Sequence, residues 1–169
     1  MKVILMRGIP GSGKSTLISK HFETYRVLKV ETEHSLKDCQ DAILGCGRAL
    51  VICADDFVGE GFSTRIPEGH KACMRAFVAL MQAHIETTVI VDNTNTTAAE
   101  LSSYVAVFNA FAREGIDTIE IWQADASLPT CMERQVHGVP AKVMLAMRAR
   151  LTTEVLPPWF PNIELFFTE

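Results

Sequence analysis

The sequence lacks any apolar run that approaches the roughly 18 residues needed to cross a bilayer. Its first apolar run is interrupted by Arg7 and by glycines, so it is also too short for a secretory signal peptide. The five cysteines are an odd number and include no C-x-x-C pair, which fits reduced thiols and argues against a disulfide framework or a zinc site. These absences predict a soluble, cytoplasmic protein with no membrane partner.

An excess of positive charge is also lacking. The net charge of −4 argues against a protein that coats duplex DNA through bulk charge, although a local basic channel could still accept a single strand. Internal repeats and low-complexity linkers are absent as well. With 169 residues and 48% apolar content, the chain can bury one substantial core, which predicts a single domain over residues 1–169.

Apolar runs typical of strands alternate with helical patterns along the chain, and this alternation predicts an α/β fold with a parallel sheet. Apolar side chains at helical spacing in two further segments predict helices that cover both faces of the sheet. Residues 25–47 break the alternation and are interpreted as an insertion before the second strand. The five strand candidates are residues 3–6, 48–54, 88–91, 118–122 and 163–167, and the two helical segments are 68–86 and 97–114.

The stretch from Gly8 to Thr16 matches the phosphate-binding pattern G-x-x-x-x-G-K-[ST] at every constrained position. A strand precedes it and a helical pattern follows it, as the motif requires. Glycines allow the backbone amides to approach phosphate oxygens closely, and Lys14 adds a positive charge near the β- and γ-phosphates. Ser15 supplies a hydroxyl for a bridging Mg²⁺. The motif predicts a nucleoside triphosphate site formed by Gly8, Pro10, Gly11, Ser12, Gly13, Lys14, Ser15 and Thr16.

Polar residues follow the second and third strand candidates directly. In open parallel sheets, ligands bind beyond the carboxyl ends of the strands, so these residues are candidates for chemistry. Asp55 and Asp56 offer a carboxylate that could take the proton of an acceptor hydroxyl during phosphoryl transfer, and Asp55 is the preferred base. Asp92 resembles the acidic group that holds Mg²⁺ in phosphate-loop proteins. Asn93 and Asn95 fit a substrate contact and a purely structural loop role equally well.

A basic segment with a helix break follows at residues 134–150. Gly138 and Pro140 interrupt the helical pattern, which predicts a helical lid that closes over the γ-phosphate. Arg134 at its start is placed to stabilise the charge of the transferring group. An ordinary helix–turn–helix with solvated arginines is the alternative.

Together these motifs resemble the phosphate-loop kinases grouped with phage-type polynucleotide kinase and the NEDD4-binding-protein-2-like proteins. The shared sequences are Gly-Ile-Pro-Gly-Ser-Gly-Lys-Ser-Thr, Ala-Asp-Asp-Phe, Val-Asp-Asn-Thr-Asn and Arg-x-x-His-Gly-Val-Pro, in this order along nearly the whole chain. The resemblance implies transfer of the γ-phosphate of ATP to a 5′-hydroxyl end of DNA or RNA, in single-stranded form. It implies Lys14, Asp55 and Arg134 as catalytic residues and Ser15 as a Mg²⁺ ligand. The strand-end position of Asp92 adds a second candidate Mg²⁺ ligand. The candidate acceptor contacts of this sequence are Asp56, Arg65, Arg75, Asn93, Asn95 and His137.

The chain also departs from the resembled enzymes. An arginine that contacts the acceptor phosphate in the phage-type enzyme is replaced here by Val58, and Gly138 stands where an ungapped alignment would put a further lid arginine. Arg65, Lys71 and Arg75 are candidates for the missing contact. Two alternatives therefore stay open: a kinase that acts on a nucleoside or another small metabolite, and a nucleotide-binding switch module that acts through a partner.

Overall fold

A computed structural model describes residues 1–27, 41, 47–57 and 66–168 of the chain. Within these residues, six parallel strands form one sheet in the order β2-β3-β4-β1-β5-β6. The bounds of the strands are β1 Lys2–Arg7, β2 Thr24–Arg26, β3 Ala49–Ile52, β4 Thr88–Val91, β5 Thr118–Asp125 and β6 Ile163–Phe167. The helices are α1 Lys14–His21, α2 Ile66–Gln82, α3 Ala98–Phe111, α4 Leu128–Arg134 and α5 Ala141–Thr153, and a 3-10 turn spans Ala54–Phe57.

The side chains of the central strand β1 alternate between two cores. Val3 and Leu5 belong to a cluster with α2 and α3, whereas Ile4 and Met6 pack with α1 on the opposite face. Successive side chains of a strand point to opposite faces, so two buried faces make the strand continuously apolar. The predicted α/β fold, with helices on both faces of a parallel sheet, is confirmed.

The boundaries and one strand differ from the sequence prediction. The five predicted strands are present, and β2 is a sixth, three-residue strand. It overlaps the start of the segment interpreted as an insertion and pairs in parallel with β3. The predicted strand at 48–54 ends at Ile52, because the chain turns into the 3-10 helix at Ala54. Most of the segment 25–47, including Cys39 and Cys46, lies outside the described residues.

Helices α4 and α5 form a small separate cluster that packs on the phosphate-binding loop. Ile9 of the loop is fully buried against Cys131 of α4 and Met144 of α5. The helical pattern breaks between Arg134 and Ala141, as the glycine and proline there predict. Within the described residues, the structure contains no helix with the length and apolar character of a membrane span.

Candidate active site

The phosphate-binding loop connects β1 to α1 through three glycines with positive φ. The φ angles are 147° at Gly8, 77° at Gly11 and 89° at Gly13, a region that other residues rarely adopt. A Cβ atom at Gly11 would lie 2.9 Å from the carbonyl carbon of Cys131, so α4 also requires glycine at this position. Helix α1 begins directly after Gly13, and no side chain caps its N-terminus. Its first amides are therefore directed at whatever binds in the loop.

The side chains of the loop fit a bound polyphosphate and Mg²⁺. The hydroxyl of Ser12 is buried and has no hydrogen-bond partner within the described residues. The Nζ atom of Lys14 donates to the carbonyl oxygens of Gly8 and Ile9 at 2.9 and 3.2 Å. Burial lowers the pKa of Lys14, and the nearby Asp92 carboxylate counteracts part of this effect. A buried ammonium and an orphaned buried hydroxyl both gain partners when phosphate oxygens enter the loop.

Ser15 and Asp92 meet at the carboxyl ends of β1 and β4. The Ser15 hydroxyl donates to Oδ2 of Asp92 at 3.1 Å, and Asp92 is almost fully buried. A hydroxyl and a carboxylate are oxygen ligands of the kind that Mg²⁺ takes in nucleotide sites. The predicted pair is thus assembled in the structure, although its sequence separation is 77 residues.

A cavity of about 1290 Å³ opens over the carboxyl ends of the strands. It joins the loop to the end of β2, the turn after β3 and the segment between α4 and α5. Parallel strands bring these ends together at one edge, where ligands of such folds bind. The sequence-predicted residues that line it are Pro10, Gly11, Gly13, Lys14, Ser15, Thr16, Asp55, Asp56, Asp92, Asn93, Arg134 and His137.

Asp55 and Asp56 lie in different environments. The Asp55 side chain is 44% exposed, lines the cavity, and lies 3.9 Å from Nε2 of His137 in the lid. Asp56 is 18% exposed and accepts two hydrogen bonds from Nη1 of Arg26, at 2.8 and 2.7 Å. Partial burial raises the pKa of Asp55, while His137 and His70 act in the opposite direction. A raised pKa brings a carboxylate closer to the range in which it acts as a base.

The two asparagines after β4 form structural hydrogen bonds. Oδ1 of Asn93 accepts from the backbone N–H of Ala54 at 2.9 Å, and its Nδ2 donates to the hydroxyl of Tyr104 at 3.1 Å. Asn95 has a φ of 44° and donates to the carbonyl of Met6 at 2.7 Å. Asn93 also lines the cavity, whereas Asn95 does not. Asn93 therefore ties the turn that carries the two aspartates to β4 and α3.

Arg134 is the last residue of α4 and lines the cavity. Its Nη1 donates to the carbonyl of Thr168 at 2.8 Å, and the Thr168 hydroxyl in turn donates to the carbonyl of Ser12. The end of β6 thereby connects the lid arginine to the phosphate loop. Among the other predicted acceptor contacts, Arg75 is exposed on α2 and does not line the cavity, and Arg65 lies outside the described residues.

Arg26, His70 and Thr168 line the same cavity and were not among the predicted site residues. Arg26 ends a strand that neighbours β3, so the rule that ligands bind beyond strand ends could have found it if β2 had been recognised. His70 lies on the first turns of α2, where an exposed polar residue carries little signal. Thr168 contacts the loop only because β6 lies beside β5 in the sheet.

The parallel sheet, the glycine loop and the helices α4 and α5 packed on it define a phosphate-loop kinase fold, and kinases of this fold use ATP and Mg²⁺. The sequence matches the model of the AAA domain family (AAA_33) over residues 3–153. The chain therefore belongs to this family. No curated protein matches the chain.

Three solved structures illustrate the fold similarity. The APS kinase CysC of Mycobacterium tuberculosis, in complex with AMPPNP and APS, shares 20% identity at a TM-score of 0.54, covering 98% of this chain and 87% of that one. APE1195 shares 23% identity at a TM-score of 0.51, covering 97% and 83%. A chain of the AvrRxo1-ORF1:-ORF2 complex shares 16% identity at a TM-score of 0.56, covering 99% and 55%. At these identities the similarity concerns the fold.

Proposed function

We propose that this chain is a Mg²⁺-dependent kinase that transfers the γ-phosphate of ATP to the 5′-hydroxyl end of a single-stranded DNA or RNA. The observation that carries the proposal is the shared cavity, in which Asp55 faces the space beside the phosphate-binding loop. The four motifs that resemble polynucleotide 5′-hydroxyl kinases support the choice of acceptor.

In this mechanism, Asp55 accepts the proton of the acceptor hydroxyl as the oxygen forms a bond to the γ-phosphorus. The bond between the γ-phosphorus and its bridging oxygen breaks, and ADP leaves. Lys14 and the amides at the start of α1 bind the phosphates, and Arg134 stabilises the negative charge of the transferring group. Ser15 and Asp92 would hold a Mg²⁺ ion, which would neutralise part of the phosphate charge.

Incubation with γ-labelled ATP and 5′-hydroxyl oligonucleotides tests the proposal. We expect label on the oligonucleotide with the wild-type protein, and none with Lys14→Ala or with an oligonucleotide that already carries a 5′-phosphate. Labelling no higher than that of Lys14→Ala would reject a nucleic acid acceptor. A switch module would instead show no acceptor-dependent release of ADP.

A small-molecule acceptor is the second candidate. It is favoured by the acidic pI of about 5.7 and by the fold similarity to an APS kinase solved in complex with AMPPNP and APS. Salt separates the two candidates, because an oligonucleotide that contacts cationic side chains binds more weakly as salt rises. We expect the KM for an oligonucleotide to rise with salt and the KM for a neutral metabolite to stay constant.

A further inference from the structure

Arg26 lies at the carboxyl end of the edge strand β2, next to the two aspartates of the cavity. Its Nη1 donates to both oxygens of Asp56, and its Nη2 lies 3.9 Å from Oδ2 of Asp92. The guanidinium thus connects the turn after β3 with the carboxylate of the predicted metal pair. Asp56 fixes the orientation of Arg26 without using most of its N–H groups, because one terminal nitrogen makes both hydrogen bonds.

The Arg26 side chain lines the cavity and keeps part of its surface exposed. The Arg26 side chain is 46% exposed, and within the described part of the chain neither Nε nor Nη2 makes a hydrogen bond. A planar guanidinium with a fixed orientation and spare donors is suited to bind a phosphate or sulfate group. Such a group would lie on the same side of the cavity as Asp55.

The other cations of the cavity are engaged elsewhere. Lys14 belongs to the phosphate-binding loop, and Arg134 donates to the carbonyl of Thr168 beside that loop. Lys20 lies in the last turn of α1. Of the described arginines and lysines that line the cavity, Arg26 alone contacts the turn that carries Asp55 and Asp56.

We propose that Arg26 binds an anionic group of the acceptor, a phosphoryl or sulfuryl oxyanion close to the reactive hydroxyl. The inference rests on the proposed function for the identity of the acceptor, and it adds a residue that discriminates between acceptors. Arg26 also supplies a positive charge that the position of Val58 lacks, where the phage-type enzyme has an arginine. Arg26 reaches the site from a strand that the sequence pattern did not reveal.

Equilibrium binding in the presence of a non-hydrolysable ATP analogue tests Arg26 without any need for turnover. Each of three probes carries one 5′-hydroxyl: a nucleoside, the nucleoside 3′-monophosphate and a dinucleoside monophosphate. We expect the wild-type protein to bind at least one phosphorylated probe about 10- to 100-fold more tightly than the nucleoside. Tight binding of the dinucleoside monophosphate indicates a backbone phosphodiester, and preference for the monophosphate alone indicates a phosphate ester of a metabolite.

The matched variants are Arg26→Gln and Arg48→Gln, which remove the same charge. Arg48 precedes β3 at the amino ends of the strands, whereas the cavity lies at their carboxyl ends and does not include Arg48. We expect Arg26→Gln to abolish the preference for a phosphorylated probe, Arg26→Lys to retain part of it, and Arg48→Gln to leave it intact. Equal thermal unfolding of the variants confirms that they are folded.

Asp56→Asn separates anion binding from a merely structural role. This variant weakens the ion pair with Arg26 but keeps the positive charge, so we expect the preference to persist within a few-fold. If Asp56→Asn loses the preference as fully as Arg26→Gln does, Arg26 acts through the turn and the proposal is overturned. A wild-type protein without any preference, or an Arg26→Gln variant that keeps it, also overturns the proposal.

Failure of the kinase proposal gives a different pattern. In that pattern, the wild-type protein prefers a phosphorylated probe through Arg26 but transfers no label from ATP. The anion site is then supported and the phosphotransferase proposal is rejected. In the converse pattern, Arg26→Gln leaves label transfer unchanged and the wild-type protein shows no preference among the probes. This result supports the kinase proposal and rejects the role of Arg26.

Discussion

Two sides of the cavity are built in different ways: the donor side, which is the phosphate-binding loop, and the side that we propose for the acceptor. On the donor side, Gly8 to Gly13 form one continuous loop that leads directly into α1, and its conformation follows from local backbone geometry. On the acceptor side, Arg26, Asp56 and His137 come from three distant parts of the chain. The comparison teaches that nucleotide binding can be recognised from a short motif, whereas the acceptor depends on ion pairs that only the folded sheet creates.

Asp55→Asn tests the acceptor side most strongly. A positioned general base contributes about 10²- to 10⁴-fold in rate, so we expect kcat for acceptor phosphorylation to fall by this factor. The affinity for ATP should stay nearly unchanged, because Asp55 makes no hydrogen bond to the loop within the described residues. Steady-state kinetics and equilibrium binding of ATP measure the two effects. If ATP affinity falls by the same factor as kcat, Asp55 contributes to nucleotide binding as well as to the reaction at the acceptor.

Gly11→Ala tests the donor side, with Gly115→Ala as the matched control. Both glycines have positive φ, 77° and 72°, but only the Cβ at Gly11 would meet other atoms. The left-handed conformation costs alanine about 1–2 kcal/mol at either position, and the crowding against α4 adds about 1–3 kcal/mol at Gly11. We expect Gly11→Ala to lower the melting temperature more than Gly115→Ala does, and to abolish ATP binding. Similar behaviour of the two variants would contradict the close packing of α4 on the loop.

Asp92→Asn tests the residue that connects the two sides of the cavity, since Asp92 contacts both Ser15 and Arg26. Removal of a carboxylate that holds or orients Mg²⁺ costs about 10- to 100-fold in metal affinity or activity. We expect the Mg²⁺ concentration for half-maximal activity to rise by that factor. A titration of activity with Mg²⁺ at saturating ATP measures it, and an unchanged requirement would remove Asp92 from the metal site.

His137→Gln is the smallest perturbation, and its effect depends on pH. Burial raises the pKa of Asp55, while the protonated imidazoles of His137 and His70 lower it and the carboxylates of Asp56 and Asp92 raise it. Activity falls as pH decreases through the pKa of the base, because the protonated carboxyl cannot accept a proton. Loss of His137 raises the pKa of Asp55 further, so the acid limb of the kcat/KM profile should move to higher pH. A limb that stays in place would show that His137 does not act on Asp55.

Much of the fold could be predicted from the sequence because the central strands are apolar on both faces and therefore appear as short continuous runs. Strand β2 was missed because three residues, partly exposed, give no periodic signal. For the asparagines after β4, the sequence left two interpretations open, and the structure shows the hydrogen bonds of the structural one. The substrate role of Asn93, which also lines the cavity, stays a prediction.

The sequence by itself determined the phosphate-binding loop, since glycine φ angles and the start of α1 depend on residues within a few positions of one another. Only the tertiary structure decided the environments of the two adjacent aspartates: both line the cavity, but Asp56 accepts both hydrogen bonds from Arg26. Arg26 pairs with Asp56 across 30 residues because β2 and β3 lie side by side and end at the same edge of the sheet. Such pairing depends on strand order, which is set by long-range packing rather than by the identity of neighbours along the chain.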